Sequence, residues 1–215
     1  MPEPTILKQN EMTFVQEMCN AISIAAPSLV LMFCWIHKPE TDRYTTFTHI
    51  FIISAWTHMP ISLSYHMMCS LGCFKDRVNC PMRKLDQSFI HACCATYSYA
   101  LSGNLLYGMG SFVLNTWYII KLWMPGPHDV PFERRTNVFL MTMFYLFPLL
   151  TRGDFSNYFG ALGSFILAAF FFHTNSKFFG WGHSISHLCC CPFLYFLLMS
   201  SVKMNPNISS CNVTW

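Results

Sequence analysis

Two histidines one helical turn apart, His183 and His187 in FFGWGHSISHLCCCPFLYFLLM, open an apolar run long enough to cross a membrane. A third, His66, follows Ser62 at the same spacing in SLSYH, and Asp86 begins another apolar run in RKLDQSFIH. Residues i and i+4 share a helix face, so Ser62 pairs with His66 and His183 with His187. Three neutral imidazoles suit a tetrahedral zinc, with a fourth position left for water in a catalytic site. Bound zinc can bring a water's pKa toward ~7, making hydroxide available at neutral pH. Asp86 would then be either a general base or an acceptor that fixes an imidazole tautomer. Ser62 could donate to the water or to a substrate carbonyl.

The elements that must carry these side chains are read from composition and hydropathy. Of 215 residues, 53% are hydrophobic and 11% charged, less than half the ~25% charge of a soluble domain. That composition points to an integral membrane protein. The net charge of +3 is small and scattered, which argues against a nucleic-acid partner. A spanning helix needs ~20 mainly apolar residues. Candidate spans are Cys19–Ile36, Phe47–Cys73, Leu85–Asn104, Leu105–Trp123, Val138–Leu150, Phe155–His173 and His183–Val202. The segment ALSGNLLYGMG between the third and fourth has the Gly, Ser and Asn content of a tight turn. The fifth is short and interrupted by Pro148. The expected fold is all-α, a seven-transmembrane helix bundle with an intramembrane metal site near the cytosolic face. Residues 1–18 form a short cytosolic segment, 19–203 the bundle and 204–215 an extracellular or lumenal tail. The opening MPEPTILKQNEMTFVQE lacks a basic-then-apolar start, so the first span is expected to serve as its own anchor.

Orientation follows from Lys and Arg in the connections. Nine lie in the N-terminus and the second, fourth and sixth connections, against four in the others. The bias places the N-terminus in the cytosol and the C-terminus outside or in a lumen. The tail patterns NIS at Asn207 and NVT at Asn212 are glycosylation acceptors consistent with that placement. Between the second and sixth connections the chain crosses four times. Ser62, His66, Asp86, His183 and His187 therefore lie toward one membrane face in either orientation. If the fifth span does not cross, the parity is odd and the five separate.

Each residue also has a plainer reading. A single His in a membrane helix often makes an interhelical hydrogen bond, which covers His49, His91, His173 and His58. Asp86 alone could be an interfacial charge favoured by a helix N-terminus. Most of the eleven Cys lie in apolar runs and behave as small hydrophobes. Cys69, Cys73 and Cys80 surround one loop, where a zinc site would lack a fourth ligand. The aromatic stretches read as packing or lipid-facing surface. Ionisable groups within a membrane are nevertheless costly and face the bundle interior; hence the histidines and Asp86 are taken together.

The combination of SxxxH late in helix two, an Asp at helix three and HxxxH at helix seven resembles the CREST superfamily of seven-helix membrane proteins. Here it reads Ser62–His66, Asp86 and His183–His187, and the resemblance spans about residues 20–203. RKLDQSFI and FERRTNVFL are similar to segments of its progestin and adipoQ receptor and hemolysin III branch. Phe89 stands where that branch has Gly, and GHSISH where it has SHQxxH. SLSYHMMC and HTNSKFFGWGHSISH also resemble the myomaker branch, whose members run the opposite way through the membrane. The resemblance implies a zinc held by His66, His183 and His187, with Asp86 and Ser62 beside its water. It further implies lipid-amide hydrolysis, as in alkaline ceramidases, with ceramide or a related sphingolipid as the membrane partner. An enzyme-like receptor, and a non-catalytic membrane-remodelling or fusion protein of the myomaker type, are the other functions it brings into view.

Overall fold

Capping and glycine geometry account for several of the helix boundaries in the computed structural model, which describes residues 12–37, 46–124 and 131–204. Among these residues there are seven α-helices and no strand. They are α1 (Phe14–Ile36), α2 (Thr46–Ser70), α3 (Pro81–Ser102), α4 (Leu105–Trp123), α5 (Pro131–Thr151), α6 (Phe155–His173) and α7 (Gly182–Val202). The bounds of α4 and α6 coincide with the expected spans. The first helix starts five residues sooner than expected, because Thr13 and Gln16 form a capping box. The Thr13 N–H donates to Gln16 Oε1 at 2.7 Å, and the Gln16 N–H donates to Thr13 Oγ1 at 3.3 Å. Glu17, expected to lie ahead of the first span, therefore sits in the first turn of α1. The α3–α4 turn is the tight one expected: Gly103 closes α3 at φ 64°, and Asn104 caps α4 by accepting the Tyr107 N–H at 3.1 Å. The fifth helix begins at Pro131 and has 21 residues, ~31 Å of helix.

Among the described residues three helices, α1, α6 and α7, are long and apolar enough to cross a membrane. Burial supports the same environment. Side chains such as Leu106, Phe112 and Val113 of α4 are exposed, while Ser98, Ser111, Asn115 and Ser200 are buried between helices. The Ser98 hydroxyl donates to Ser111 Oγ at 2.6 Å across the α3–α4 seam. Large exposed apolar surface is unusual for a soluble monomer, and hydroxyls at helix seams are typical of helices packed in lipid.

The first helix packs on α2 and α7, α2 on α3, α3 on α4 and α5, and α6 on both α5 and α7. One end of the assembly gathers the starts of α1, α3, α5 and α7 with the finish of α2. At the opposite end, Arg152 after α5 binds the Leu101 carbonyl of α3, Met204 Sδ and, at 2.6 Å, Ser200 Oγ of α7. Asp154 accepts from Lys203 Nζ at 2.6 Å and from Asn157 Nδ2 at 3.0 Å. Burial pushes the Asp154 carboxyl up, but hydrogen bonds from Lys203, Asn157 and Ser200 outweigh it and hold the group below the ordinary aspartate value.

A carboxyl whose folded pKa is depressed adds stability above its unfolded pKa and loses it as pH falls through the folded one. Asp154→Asn is therefore expected to lower the unfolding temperature in detergent at neutral pH, by an amount equivalent to about 1–3 kcal/mol. The gap from wild type should close on acidification below the ordinary aspartate pKa; a gap independent of pH would show that the charge is not what matters.

Candidate metal centre

His66, His183 and His187 are brought together at the end of the bundle where α2 finishes and α7 starts. Each offers one ring nitrogen, these nitrogens lie within 4.8 Å of one another, and all three residues are buried. The ring centroids are 4.9 Å apart for His66–His183, 4.6 Å for His183–His187 and 5.5 Å for His66–His187. Among the described residues this is the one set of three or more His, Cys, Asp or Glu placed to hold a metal ion. The loop thiols form no such set: Cys69 and Cys80 pack with Tyr65 and Cys73 is exposed.

The hydrogen bonds define which nitrogens are available. Glu17 Oε1 accepts from Arg77 Nη1 at 3.2 Å, which marks Glu17 as a carboxylate, an acceptor only. His66 Nδ1 lies 2.8 Å from Glu17 Oε2 and must carry the proton it donates there. Nε2 is thereby the lone-pair nitrogen; it is buried and has no hydrogen-bond partner. At His187, Nδ1 is 3.0 Å from Ser23 Oγ, whose own hydrogen goes to the Asn20 carbonyl at 3.1 Å. The His187 Nδ1–H therefore donates to Ser23, and its Nε2 also keeps a lone pair. A buried nitrogen with no hydrogen-bond partner, set in a cluster of three imidazoles, is unfavourable unless something electrophilic lies within reach. The donor set thus fits a metal ion, and the carboxylate behind His66 is the usual outer partner of a metal-bound imidazole.

Local structure sets these positions. The 3-10 turn Asn175–Phe178 and the residues after it turn the chain from α6 into α7, with Gly180 at φ 87°. Asn175 Oδ1 then accepts the His183 backbone N–H at 2.9 Å, holding the first turn of α7. Gly182, immediately before His183, lies so close to the Phe171 carbonyl and to Asn175 that an added Cβ would fall 2.8 Å from the Asn175 Cα. Next to His183 on α7, Ser184 Oγ donates to Asn20 Oδ1 of the facing helix at 2.6 Å, fastening α1 to α7.

Asp86 is 2% exposed and lies within electrostatic reach of His66 and His187. Its Oδ2 accepts from Arg83 Nη1 at 2.9 Å and its Oδ1 from His58 Nε2 at 3.1 Å. Ser62 is buried on the same helix as His66. His91 makes the expected interhelical bond, with Nδ1 2.9 Å from Asn115 Oδ1. His173 accepts from Arg135 Nη1 at 3.3 Å, and His49 packs edge-on to Trp35. His58 also bonds between helices, but its partner is Asp86. The glycosylation candidates Asn207 and Asn212, and the loop residues Lys38 and Arg43, lie outside the described residues.

Sequence inspection missed Glu17, Asn20 and Ser23. A signal was present: three polar residues at spacings of three, in EMCNAIS, make a stripe along one face of an apolar helix. Comparison with protein-family models, curated proteins and solved structures gives no match. Over the described residues, the fold and site define an all-helical protein with membrane-type helices and a buried three-histidine group able to bind a metal ion.

Replacing the carboxylate behind His66 should weaken metal binding without removing a ligand. Glu17→Gln is expected to reduce metal affinity ~10–100-fold in a competitive chelator titration. Unchanged affinity would mean that Glu17 does not act on the site. Gly182→Ala, which needs room that the Asn175 backbone occupies, should lower metal content while leaving total helicity by circular dichroism near wild type.

Proposed function

We propose that this chain is a seven-span, CREST-type membrane hydrolase. Its zinc site is formed by His66, His183 and His187, and it cleaves the amide bond of a membrane lipid such as ceramide. The observation that carries this reading is the buried His66 Nε2 without a partner, on a ring that lies beside the two α7 imidazoles and is backed by Glu17. Three imidazoles in a closed nitrogen set suit zinc above the harder divalent ions. Zinc held there would supply a Lewis acid and a water acidic enough to react at neutral pH.

The chain's own residues have definite tasks in that reading. Glu17 and Ser23 fix the tautomers of His66 and His187, so that both present lone pairs inward. Asp86 is held as an anion by Arg83 and placed against the site, and buried Ser62 lies one turn before His66 to bind a polar group of the substrate. Helices one, two, three and seven exclude bulk water from the centre. Such enclosure strengthens every charge interaction within it. A ceramide amide sits near headgroup depth, matching a site near the helix ends, while its chains remain among exposed apolar side chains. The arrangement of helix ends also supports an N-terminus in the cytosol: the basic residues Arg77, Arg83, Lys121, Arg134 and Arg135 all belong to the end that carries the site.

Protein purified in mild detergent without added metal is expected to contain about one zinc per chain by elemental mass spectrometry, as a structural or catalytic three-His site requires. His183→Ala should lose it. Wild type reconstituted in vesicles should release a fatty acid from a ceramide bearing a labelled acyl chain. Metal without turnover on any lipid amide would reduce the site to a brace between α2 and α7; a well-folded, metal-free wild type would defeat the reading outright.

A further inference from the structure

We infer that Asn20 is the positioning residue of the metal centre, the amide through which α1 holds the imidazoles of α2 and α7 in register. The inference rests on the metal-binding part of the reading above and not on turnover of a lipid.

Asn20 is 0% exposed in an apolar helix, so its amide must be satisfied from within the bundle. Its Oδ1 accepts the Ser184 hydroxyl of α7 at 2.6 Å. Its Nδ2 donates to Glu17 Oε2 at 3.4 Å and to Met12 Sδ at 3.1 Å. The amide has no choice of orientation. Glu17 is a carboxylate that only accepts, so the NH2 faces it and the oxygen faces Ser184. The Asn20 backbone carbonyl takes the Ser23 hydroxyl at 3.1 Å.

Each of the contacts with Glu17, Ser23 and Ser184 ends beside a candidate ligand. Glu17 Oε2 is the atom that accepts from His66 Nδ1 at 2.8 Å. Ser23 Oγ accepts from His187 Nδ1 at 3.0 Å. Ser184 directly follows His183 in the first turn of α7. Glu17 is thus gripped by donors from three elements: Asn20 of α1, His66 of α2 and Arg77 of the loop that follows. A carboxylate held from three sides keeps one direction, and that direction sets the plane of the His66 ring. Through Ser184 the same side chain sets how α1 meets α7, and so how His183 and His187 stand against His66. An amide that only knitted α1 to α7 would need its Ser184 bond alone. The donation to Glu17 is the part that a packing role does not require.

Cobalt(II) alone is the probe, because its visible absorption in a nitrogen-ligand site reports the geometry of the ligands. Wild type stripped of metal should take up about one cobalt per chain. In a competitive chelator titration, Asn20→Ala should weaken cobalt binding ~10–100-fold and shift the visible band. Ser184→Ala, which spares the bond to Glu17, should cost less. Asn20→Ala combined with Glu17→Gln should lose much less than the product of the two separate losses, since both act through one carboxylate. Single losses that multiply in full would overturn the inference. So would an Asn20→Ala protein within about twofold of wild type with an unmoved band. If Asn20→Ala does not fold, the same cycle is run with Ser184→Ala and Glu17→Gln, residues that both bond to Asn20. A combined loss short of the product supports coupling through the amide, and full multiplication overturns it. A folded wild type that takes up no cobalt would instead strike the metal reading itself, and the role of Asn20 with it.

Discussion

The contact between Glu17 and His66 is the constraint on which the polar end of this bundle depends. A carboxylate 3% exposed in an apolar assembly has no water to solvate it. Removing one member of a buried ion pair typically costs ~3–5 kcal/mol. Glu17 is satisfied from two sides, by the His66 Nδ1–H and by Arg77 of the loop after α2. Arg77 also donates to the Met12 carbonyl at 3.1 Å, and its own carbonyl accepts the Tyr65 hydroxyl at 3.0 Å. One buried carboxylate thus fixes where α1 begins, how the α2–α3 loop folds back, and which nitrogen of His66 is left facing α7. The His66 tautomer, and with it the metal-binding character of the site, follows from that arrangement.

The opposite end answers a different requirement. Four helices carry an internal proline, Pro27 in α1, Pro60 in α2, Pro148 in α5 and Pro192 in α7. Each removes one backbone hydrogen bond and loosens its helix. The contacts of Arg152 and Asp154 join α3, the α5–α6 turn and the end of α7, so α7 is held at both ends despite Pro192. At its start, Asn175 and the close approach of Gly182 set the rotation of the helix and so the direction of His183 and His187. Function needs both: a helix free at its far end would not hold two imidazoles against a third on another helix. The outer helix α4, by contrast, packs on α3 and α5 and exposes most of its apolar face, which suits a scaffold rather than a site.

Much of this was legible in the chain. Long apolar runs, the SGN turn and the i, i+4 spacing of Ser62–His66 and His183–His187 are local properties; hydrophobic length and capping chemistry act over one helix at a time. Parity alone placed the three histidines on the same side, and the structure brings their ring nitrogens together. What was not legible involves partners far apart in the chain. Glu17 reads as part of a polar leader until the capping box at Thr13 pulls it into α1. His58 reads as an ordinary interhelical histidine until α3 is seen to set Asp86 against it. By itself the sequence determined the helices, their apolar faces and the identity of the candidate ligands, because periodicity and composition are written residue by residue. Only the tertiary structure decided which carboxylate stands behind which imidazole, since burial obliges each polar group to find a partner and only packing decides which one is within reach.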